Sequence, residues 1–396
     1  NWISMLVVGT YLVDIALEQV HLPKRLALAM LLHVGVVRPA ALLACFMGLA
    51  WILAMFLNSI AVTLVITPFA ISLMNAAEEQ ARIVADSATD RAQEEGGATA
   101  AEEAGNREVE QVRRFAKGLL VGIAYSASAG GIATVTGAIP NYFLAAESVL
   151  SGRVSWLAWF QFAFPISLVT GMLAYLVLHA RYVRRLSFSG ISRQMLEEQQ
   201  QDLLREVGPV SRDELMVAAV QVLQLVLLIV RPFTISAWFS SPYGEQLVND
   251  STLAVLPALL LFLIPSQTRP GEALLTWPVV HEKFDFGLLL LIGGSIAINY
   301  GFTNSGLSVA LGDMVAGLIP LVHPFALNLV VVASVTLFSQ VLSSISTAST
   351  MLPVLSAASV EAMVNPLTLM LPATIATSFA FLLPTATPPN IVVLAK

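Results

Sequence analysis

The stretch Asn58-Ser59-Ile60-Ala61-Val62-Thr63 is echoed near the other end of the chain by Ser343-Ser344-Ile345-Ser346-Thr347-Ala348. We call residues 58–63 and 343–348 the first and second Ser signatures. Each one interrupts apolar sequence with small polar residues and is followed at the same distance by a proline, Pro68 or Pro353. Serine and threonine that only pack a membrane helix need not recur with matching prolines. The duplication therefore favours a binding site over ordinary helix packing.

A second duplicated motif follows the first in the same order along the chain. Thr136-Gly137-Ala138-Ile139-Pro140-Asn141 and Thr385-Ala386-Thr387-Pro388-Pro389-Asn390 share the pattern Thr-x-x-x-Pro-Asn. We call residues 136–141 and 385–390 the first and second Pro-Asn signatures. Two structural repeats would produce this order if each repeat contributed half of one site near the middle of a bilayer. The pattern predicts a transporter.

The composition is that of a membrane protein. Hydrophobic residues make up 57% of the 396 residues and charged residues 12%, and the mean hydropathy is +0.78. Long apolar runs approach the roughly 20 residues that cross a bilayer core. No long alternation of apolar and polar residues occurs, so the spans are predicted to be helices. The main runs cover residues 2–17, 115–149, 156–178, 215–230, 253–264, 284–298 and 325–338.

Two hydrophilic stretches separate the apolar runs. Residues 76–114 are rich in glutamate and alanine, and they are predicted to form a water-exposed linker that is partly disordered. Residues 179–214 and the group from Arg107 to Lys117 hold the densest arginine and lysine, which predicts that both linkers are cytoplasmic. The first repeat is predicted at about 1–152 and the second at about 215–396. The chain opens on Asn1 and stays apolar almost to Lys396, so we expect it to be trimmed at both ends.

The polar signatures suit ions rather than bond-breaking chemistry. Gly130-Gly131 and the prolines of the Pro-Asn signatures disfavour continuous helix and expose backbone carbonyls. Carbonyl, hydroxyl and amide oxygens form a shell for sodium, and helix N-termini favour an anion. The signatures contain no lysine or arginine and no titratable pair, so no enzymatic activity is expected.

Other polar residues are assigned structural roles. The five histidines lack metal-ligand spacing, and the single cysteine, Cys45, is predicted to be buried as a small apolar residue. Asp14 and Glu18 lie four apart on the first helix. A proton-relay role is open for them, but an interfacial charge pair is favoured. The net charge of −6 comes mainly from the 76–114 linker and points to no nucleic-acid partner.

These motifs resemble those of the divalent anion/sodium symporter family, which includes sodium-coupled di- and tricarboxylate and sulfate carriers. The likeness covers nearly the whole chain, and residues 371–390 carry its most specific part. The other matching stretches are residues 22–28, 130–141, 290–294 and 304–307.

The resemblance implies an all-α, polytopic membrane protein with two inverted repeats, re-entrant hairpins and broken helices, divided into scaffold and transport parts. It also implies a homodimer that works by an elevator-like movement. The family's paired Ser-Asn-Thr motifs fall on Asn58-Ser59-Ile60 and Ser343-Ser344-Ile345. Neither asparagine is kept in place, and Ile60 and Ile345 cannot hydrogen-bond where threonine is usual.

The resemblance also assigns the site residues. One sodium site would comprise Asn58, Ser59, Thr136 and Gly137, and the symmetric one Ser343, Ser344, Thr385 and Ala386. The substrate would contact the tips of both Ser signatures (Asn58, Ser59, Ile60, Ser343, Ser344 and Ile345) together with Thr387 and Pro388.

The expected function is secondary active transport of a small divalent anion, a di- or tricarboxylate, coupled to sodium. The expected location is the plasma membrane, with lipid and a second protomer as partners. The alternatives are a sulfate-type or proton-coupled carrier, and a transport-incompetent receptor of the same fold.

Overall fold

The structure is a computed structural model, and its description covers most of the chain. The described residues are 2–26, 38–95, 98–146, 154–184, 186, 201, 205, 208–238, 249–284, 286–307, 309–310, 313 and 323–395. Residues 151–153, which separate the apolar runs 115–149 and 156–178, and most of the predicted 179–214 linker lie outside these ranges. The repeat boundaries at about 1–152 and 215–396 stay predictions.

The described chain is helical, and its only β-type pairing is an isolated bridge between Pro265 and Ala273. The helices of the first half are α1 (Trp2–Gln19), α2 (Pro39–Ala54), α3 (Ser59–Glu95), α4 (Ala98–Ile132), α5 (Ile139–Ala146) and α6 (Trp156–Leu178), which continues as a π-helical turn, His179–Val183. Those that follow are α7 (Arg212–Trp238), α8 (Asp250–Leu263), α9 (Trp277–Lys283), α10 (Phe286–Asn304), α11 (Pro324–Val341), α12 (Ser344–Glu361), α13 (Leu367–Thr377), a 3-10 turn (Pro384–Ala386) and α14 (Pro388–Leu394).

Several helices are long and apolar enough to cross a membrane. The candidate spans within the described residues are Ser59–Asp90, Glu102–Ile132, Trp156–Val183, Arg212–Arg231 and Pro324–Val341. Large apolar side chains are exposed along them, among them Val177 on α6, Phe233 on α7 and Leu337 on α11. Exposed apolar surface of this extent is stable against lipid rather than water. The chain is an integral, all-α membrane protein, as the composition predicts.

The prediction that residues 76–114 form a partly disordered linker is wrong. Helix α3 continues to Glu95, α4 begins at Ala98, and the two helices pack against each other. Alanine, glutamate and arginine have high helix propensity, so a polar segment rich in them can form a helix. Ion pairs add to it: Arg82 and Arg113 both bind Glu78, at 2.6 and 2.8 Å, and Arg107 binds Glu103 at 3.1 Å.

Buried apolar side chains form two clusters that position the site between them. One cluster joins α1–α4 with α7–α9, and its members include Phe46, Ile66 and Phe115. The other joins α5 and α6 with α11–α13, and its members include Trp159, Leu352 and Met370. Cys45 is buried, as predicted.

One short helix from each half of the chain packs against helices of the other half. Helix α5, from the first half, packs against α12 and α13 of the second half. Helix α14, from the second half, packs against α3 and α4 of the first half. Because α5 and α14 each begin within a Pro-Asn signature, at Ile139 and Pro388, these contacts place both signatures at the boundary between the halves.

Candidate functional site

The first Ser signature forms the tip between α2 and α3. Helix α2 ends at Ala54, and α3 begins at Ser59. The Asn58 side chain caps the new helix, because its Oδ1 accepts a hydrogen bond from the Ile60 N–H at 2.9 Å. Asparagine at such a position satisfies a backbone donor that has no partner inside the helix.

The second Ser signature forms an equivalent tip between α11 and α12. Helix α11 ends at Val341 and α12 begins at Ser344, with Ser343 as the capping residue. The Ser343 hydroxyl accepts a hydrogen bond from the Ser346 N–H at 3.2 Å. Each Ser signature therefore starts a helix at its second residue, as the predicted breaks require.

The two Pro-Asn signatures share one hydrogen-bond pattern. Asn141 Nδ2 donates to the carbonyls of Gly131, at 2.9 Å, and Thr134, at 2.7 Å, which precede it by 10 and 7 residues. Asn390 Nδ2 donates to the carbonyls 10 and 7 residues before it, those of Ala380, at 3.1 Å, and Leu383, at 3.3 Å. Each asparagine thus holds the loop before it in the same shape.

Each of these loops is also tied to a helix that leads to a Ser signature. In the first half, the Thr134 hydroxyl donates to the Met55 carbonyl at 2.5 Å, just beyond α2. In the second half, Gln340 near the end of α11 donates to the Phe379 carbonyl at 3.0 Å and accepts from the Leu382 N–H at 2.9 Å. The loop and the tip of each half are therefore positioned together.

Two glycines permit close contact with α2: Gly130, near the end of α4, and Gly137, in the loop between α4 and α5. A Cβ atom on Gly130 would lie 2.2 Å from the carbonyl oxygen of Trp51. A Cβ on Gly137 would lie 2.7 Å from that of Ala54. Since both contacts are with backbone, no side-chain rotation could relieve them.

The signatures meet around one cavity of about 30 Å³. Residues from both Ser signatures (Asn58, Ser59, Ile60, Ser344 and Ile345) line it, together with Thr387 and Pro388 of the second Pro-Asn signature. None of the lining residues is ionisable, and α3, α5, α12 and α14 all begin at this cavity. Partial positive charge at helix N-termini makes such a surface favourable for an anion.

Some of the predicted site residues lie beside this cavity rather than on it. Ser343 is occupied as the cap of α12, and Thr385 and Ala386 form the 3-10 turn before α14. The Gly137 N–H donates to Thr134 Oγ1 at 3.0 Å within its turn. Thr136 lines a smaller, neighbouring cavity that it shares with Asn58.

The cavity has further lining residues that the sequence analysis missed. Ser128 and Ser378 contribute hydroxyls from the ends of α4 and α13, just before the two loops. Ala138, Ile139 and Pro140 of the first Pro-Asn signature and Pro389 of the second complete its wall; the sequence analysis names these motifs but does not assign these four residues to the site. Ser128 and Ser378 do precede the two Pro-Asn signatures at similar distances, and this spacing is the signal that could have identified them.

The favoured interpretation of Asp14 and Glu18 as one interfacial charge pair is wrong. Glu18 forms an ion pair with Lys283 at 3.3 Å. Asp14, one turn earlier, instead lines the small cavity with Asn58 and Thr136. The helix turn that separates the two residues places them in different surroundings.

An unpartnered buried oxygen at the cavity indicates that the site fits a cation. Thr387, which lines the main cavity, has its Oγ1 buried without a hydrogen-bond partner. Asn141 Oδ1 and Asn390 Oδ1, in the two Pro-Asn signatures but outside the cavity wall, are buried without a partner as well. Buried polar atoms of this kind are costly unless they bind something. Neutral oxygen donors suit a hard monovalent cation such as sodium, and groups of three or more His, Cys, Asp or Glu that could hold a metal are absent from the described residues.

Comparison with known proteins identifies the family. The sequence model described as "Sodium:sulfate symporter transmembrane region" matches residues 1–396 of this chain. The chain belongs to the sodium:sulfate symporter family. This is the divalent anion/sodium symporter family that the motifs of the sequence resemble.

Curated relatives have sequences similar to this chain over almost all of its length. Mouse "Solute carrier family 13 member 2" is 32% identical, over 98% of the chain and 74% of the relative. The "Sodium-dependent low-affinity dicarboxylate transporter 1" of Caenorhabditis elegans is 30% identical, over 99% and 72%. The mouse "Na(+)/citrate cotransporter" is 30% identical, over 99% and 76%. The names of the last two describe sodium-coupled carriers of carboxylates.

Proposed function

We propose that this protein is a secondary active transporter that moves a small di- or tricarboxylate together with sodium. The observation that carries the proposal is the cavity where both Ser signatures and both Pro-Asn signatures meet. Its wall has hydroxyls and helix N-termini but no ionisable group. A dianion entering it needs cations for charge balance, because desolvating an uncompensated charge is expensive. Coupling to sodium supplies those cations.

We assign two sodium sites, one to each half of the chain. The first comprises Asn58, Ser59, Thr136 and Gly137, and the second comprises Ser343, Ser344, Thr385 and Ala386. The shared hydrogen-bond pattern of Asn141 and Asn390 supports this equivalence, because it gives both adjoining loops the same shape. Between the two sites, Ile60, Ile345, Thr387 and Pro388 border the anion.

The length of α2 supports a re-entrant hairpin at the first Ser signature. Helix α2 has 16 residues, a length of about 24 Å, which is shorter than the roughly 30 Å hydrocarbon core. Its beginning lies near the end of α6, where the Tyr175 hydroxyl donates to the Ala40 carbonyl at 3.4 Å. A cavity with room for roughly two water molecules is smaller than a dicarboxylate, so the tips must separate for binding. We propose that this happens within an elevator-type cycle in a homodimer.

Contacts between the basic segments support one common, cytoplasmic side. We call residues 76–114, where α3 and α4 pack against each other, the acidic hairpin. Arg114, at its end, donates to the Arg181 carbonyl at 2.8 Å. Arg25 pairs with Glu214 at 2.7 Å and donates to the Gly208 carbonyl at 3.1 Å. Because arginine and lysine concentrate in cytoplasmic segments, we place this side in the cytoplasm of a plasma membrane.

The test of the proposal is uptake of radiolabelled succinate, citrate and sulfate into proteoliposomes, with and without an inward sodium gradient. We expect sodium-dependent uptake of succinate or citrate. Sulfate uptake alone would favour the sulfate-type carrier, and proton-driven uptake would replace sodium as the coupling ion. Binding without flux would identify a receptor, and the absence of both from folded, inserted protein would overturn the proposal.

Ser344→Ala is expected to weaken anion uptake and sodium dependence together. Ser344 is buried and lines the cavity, so its hydroxyl is available to the cation and the anion. A hydrogen bond to a charged group contributes roughly 1.5–3 kcal/mol, so we expect half-saturating sodium and substrate concentrations to rise about tenfold or more. Concentration-dependent uptake measures both quantities.

The matched control is Ser359→Ala on the same helix, where the hydroxyl only donates to the Leu355 carbonyl at 2.7 Å. His179→Ala, in the π-helical turn beyond α6, is a second control. We expect both to transport normally. A sodium dependence that is unaltered in Ser344→Ala but shifted in either control would rule out the assigned site.

A further inference from the structure

A second, smaller cavity lies between α1, the first Ser signature and the first Pro-Asn signature. Its volume is about 10 Å³, close to the minimum that holds one water molecule. The polar residues that line it are Thr10, Tyr11, Asp14, Asn58, Thr136 and Tyr142. It adjoins the main cavity, because Asn58 lines both. A single dehydrated monovalent cation of the size of sodium is smaller than water and fits this space.

Polar residues from α1, α5 and the loop between α4 and α5 line this small cavity. Helix α1 contributes the Asp14 carboxylate and the Thr10 hydroxyl. Helix α5 contributes the Tyr142 hydroxyl, which lies 3.1 Å from Thr10 Oγ1 and donates to the Thr136 carbonyl at 3.3 Å. Carboxylate, hydroxyl and carbonyl oxygens are the ligands that hard cations prefer.

The Asp14 carboxyl group has no basic partner among the residues that the structure describes. Glu18, one turn away, pairs with Lys283, and Asp250 pairs with Arg231, but no ion pair with Asp14 occurs among the described residues. The Asn58 backbone N–H faces the Asp14 carboxyl group, and Glu18 is a like-charged neighbour rather than a counterion. A carboxylate inside a membrane protein is costly unless a cation compensates it, and such residues mark ion sites.

We propose that Asp14 binds sodium directly in this cavity, as the charged ligand of the first cation site. The inference rests on the proposed function, since Asn58 and Thr136 belong to the sodium site assigned there. It adds an asymmetry, because no acidic side chain lines the main cavity around Ser344 and Thr387. The first site therefore binds sodium more tightly than the second and is selective for sodium over the larger potassium ion.

The test is sodium-dependent thermal stabilisation of the purified protein without substrate, with choline or potassium chloride keeping the ionic strength constant. Ligand binding to the folded state raises the melting temperature with ligand concentration. We expect sodium, but not potassium, to stabilise the wild type, and Asp14→Asn to raise the half-maximal sodium concentration about tenfold or more. Asp86→Asn, at an exposed position of α3, is the matched control and should behave as the wild type.

A second measurement needs no variant, and it covers the case in which Asp14→Asn does not fold. Wild-type protein is treated with a hydrophobic carbodiimide, and carboxyl modification is followed by mass spectrometry of peptides. We expect sodium, but not potassium, to protect Asp14, while modification of Asp86 is unchanged by either ion. Lack of protection, or a folded Asp14→Asn variant with unaltered sodium response, refutes the inference.

A failure of the Asp14 inference can be distinguished from a failure of the proposed function. Sodium-coupled uptake that is fully retained by Asp14→Asn contradicts the role of Asp14 alone and leaves the transporter assignment in place. Lack of uptake by the wild type contradicts the transporter assignment. Sodium protection of Asp14 would then still establish the cation site.

Discussion

Gly130→Ala is expected to abolish uptake, although the change adds a single methyl group. The new Cβ would lie 2.2 Å from the Trp51 carbonyl oxygen and 2.9 Å from its carbonyl carbon. Because both partners are backbone, either α2 or the end of α4 must move. Such overpacking costs roughly 1–3 kcal/mol. The same movement displaces Thr134 from Met55 and separates the first loop from the tip that it adjoins.

Uptake in proteoliposomes and thermal stability in detergent, measured on the same preparation, check this result. The matched control is Gly48→Ala on α2, where a Cβ would meet nothing within 4 Å. Alanine also has the higher helix propensity, so the control should be at least as stable as the wild type. Normal uptake by Gly130→Ala would show that the α2–α4 contact tolerates displacement and that the site does not depend on it.

The convergence of the signatures was predictable because small polar residues and prolines are rare in apolar runs. Their duplication in the same order indicated two half-sites, and the structure places residues of both Ser signatures and both Pro-Asn signatures around one cavity. The predicted helix breaks also lie where expected, since α3 and α12 begin at Ser59 and Ser344. What these residues bind stays a proposal.

Other parts of the site depend on packing that one sequence does not display. Ser128 and Ser378 are ordinary serines near helix ends until the chain folds, and only the arrangement of four helix starts turns them toward the cavity. Asp14 and Glu18 are equivalent by helical spacing, yet Lys283, distant in sequence, compensates only Glu18. Long-range contacts of this kind determine which of two similar carboxylates lies at the site.

For the acidic hairpin, the sequence predicted solvent exposure correctly but not the helical structure. Its polarity indicated exposure correctly, and many of its side chains are exposed. Polarity alone does not distinguish a disordered linker from a solvated helix. Alanine content and i,i+4 pairs such as Arg82–Glu78 decide in favour of a helix, because both stabilise helical backbone without tertiary burial.

Asn141→Asp and Asn390→Asp are expected to reduce uptake to a similar extent, although the two residues lie in different halves of the chain. Each side-chain amide donates to two backbone carbonyls, and aspartate replaces these donors with a carboxylate facing the same carbonyls. A buried carbonyl left without its donor costs roughly 1–3 kcal/mol. We expect each variant to lose about tenfold or more in uptake, measured at saturating sodium.

The comparison between the two variants is the informative part of this experiment. Asn365→Asp is the control, since Asn365 is exposed and its side-chain oxygen only accepts a bond from the Leu367 N–H, which aspartate can also do. If the two loops are equivalent halves of one site, neither can be lost alone without stopping the cycle. A large effect in one variant and none in the other would therefore show that the shared hydrogen-bond pattern is structural only, and that a single half carries the ions and the anion.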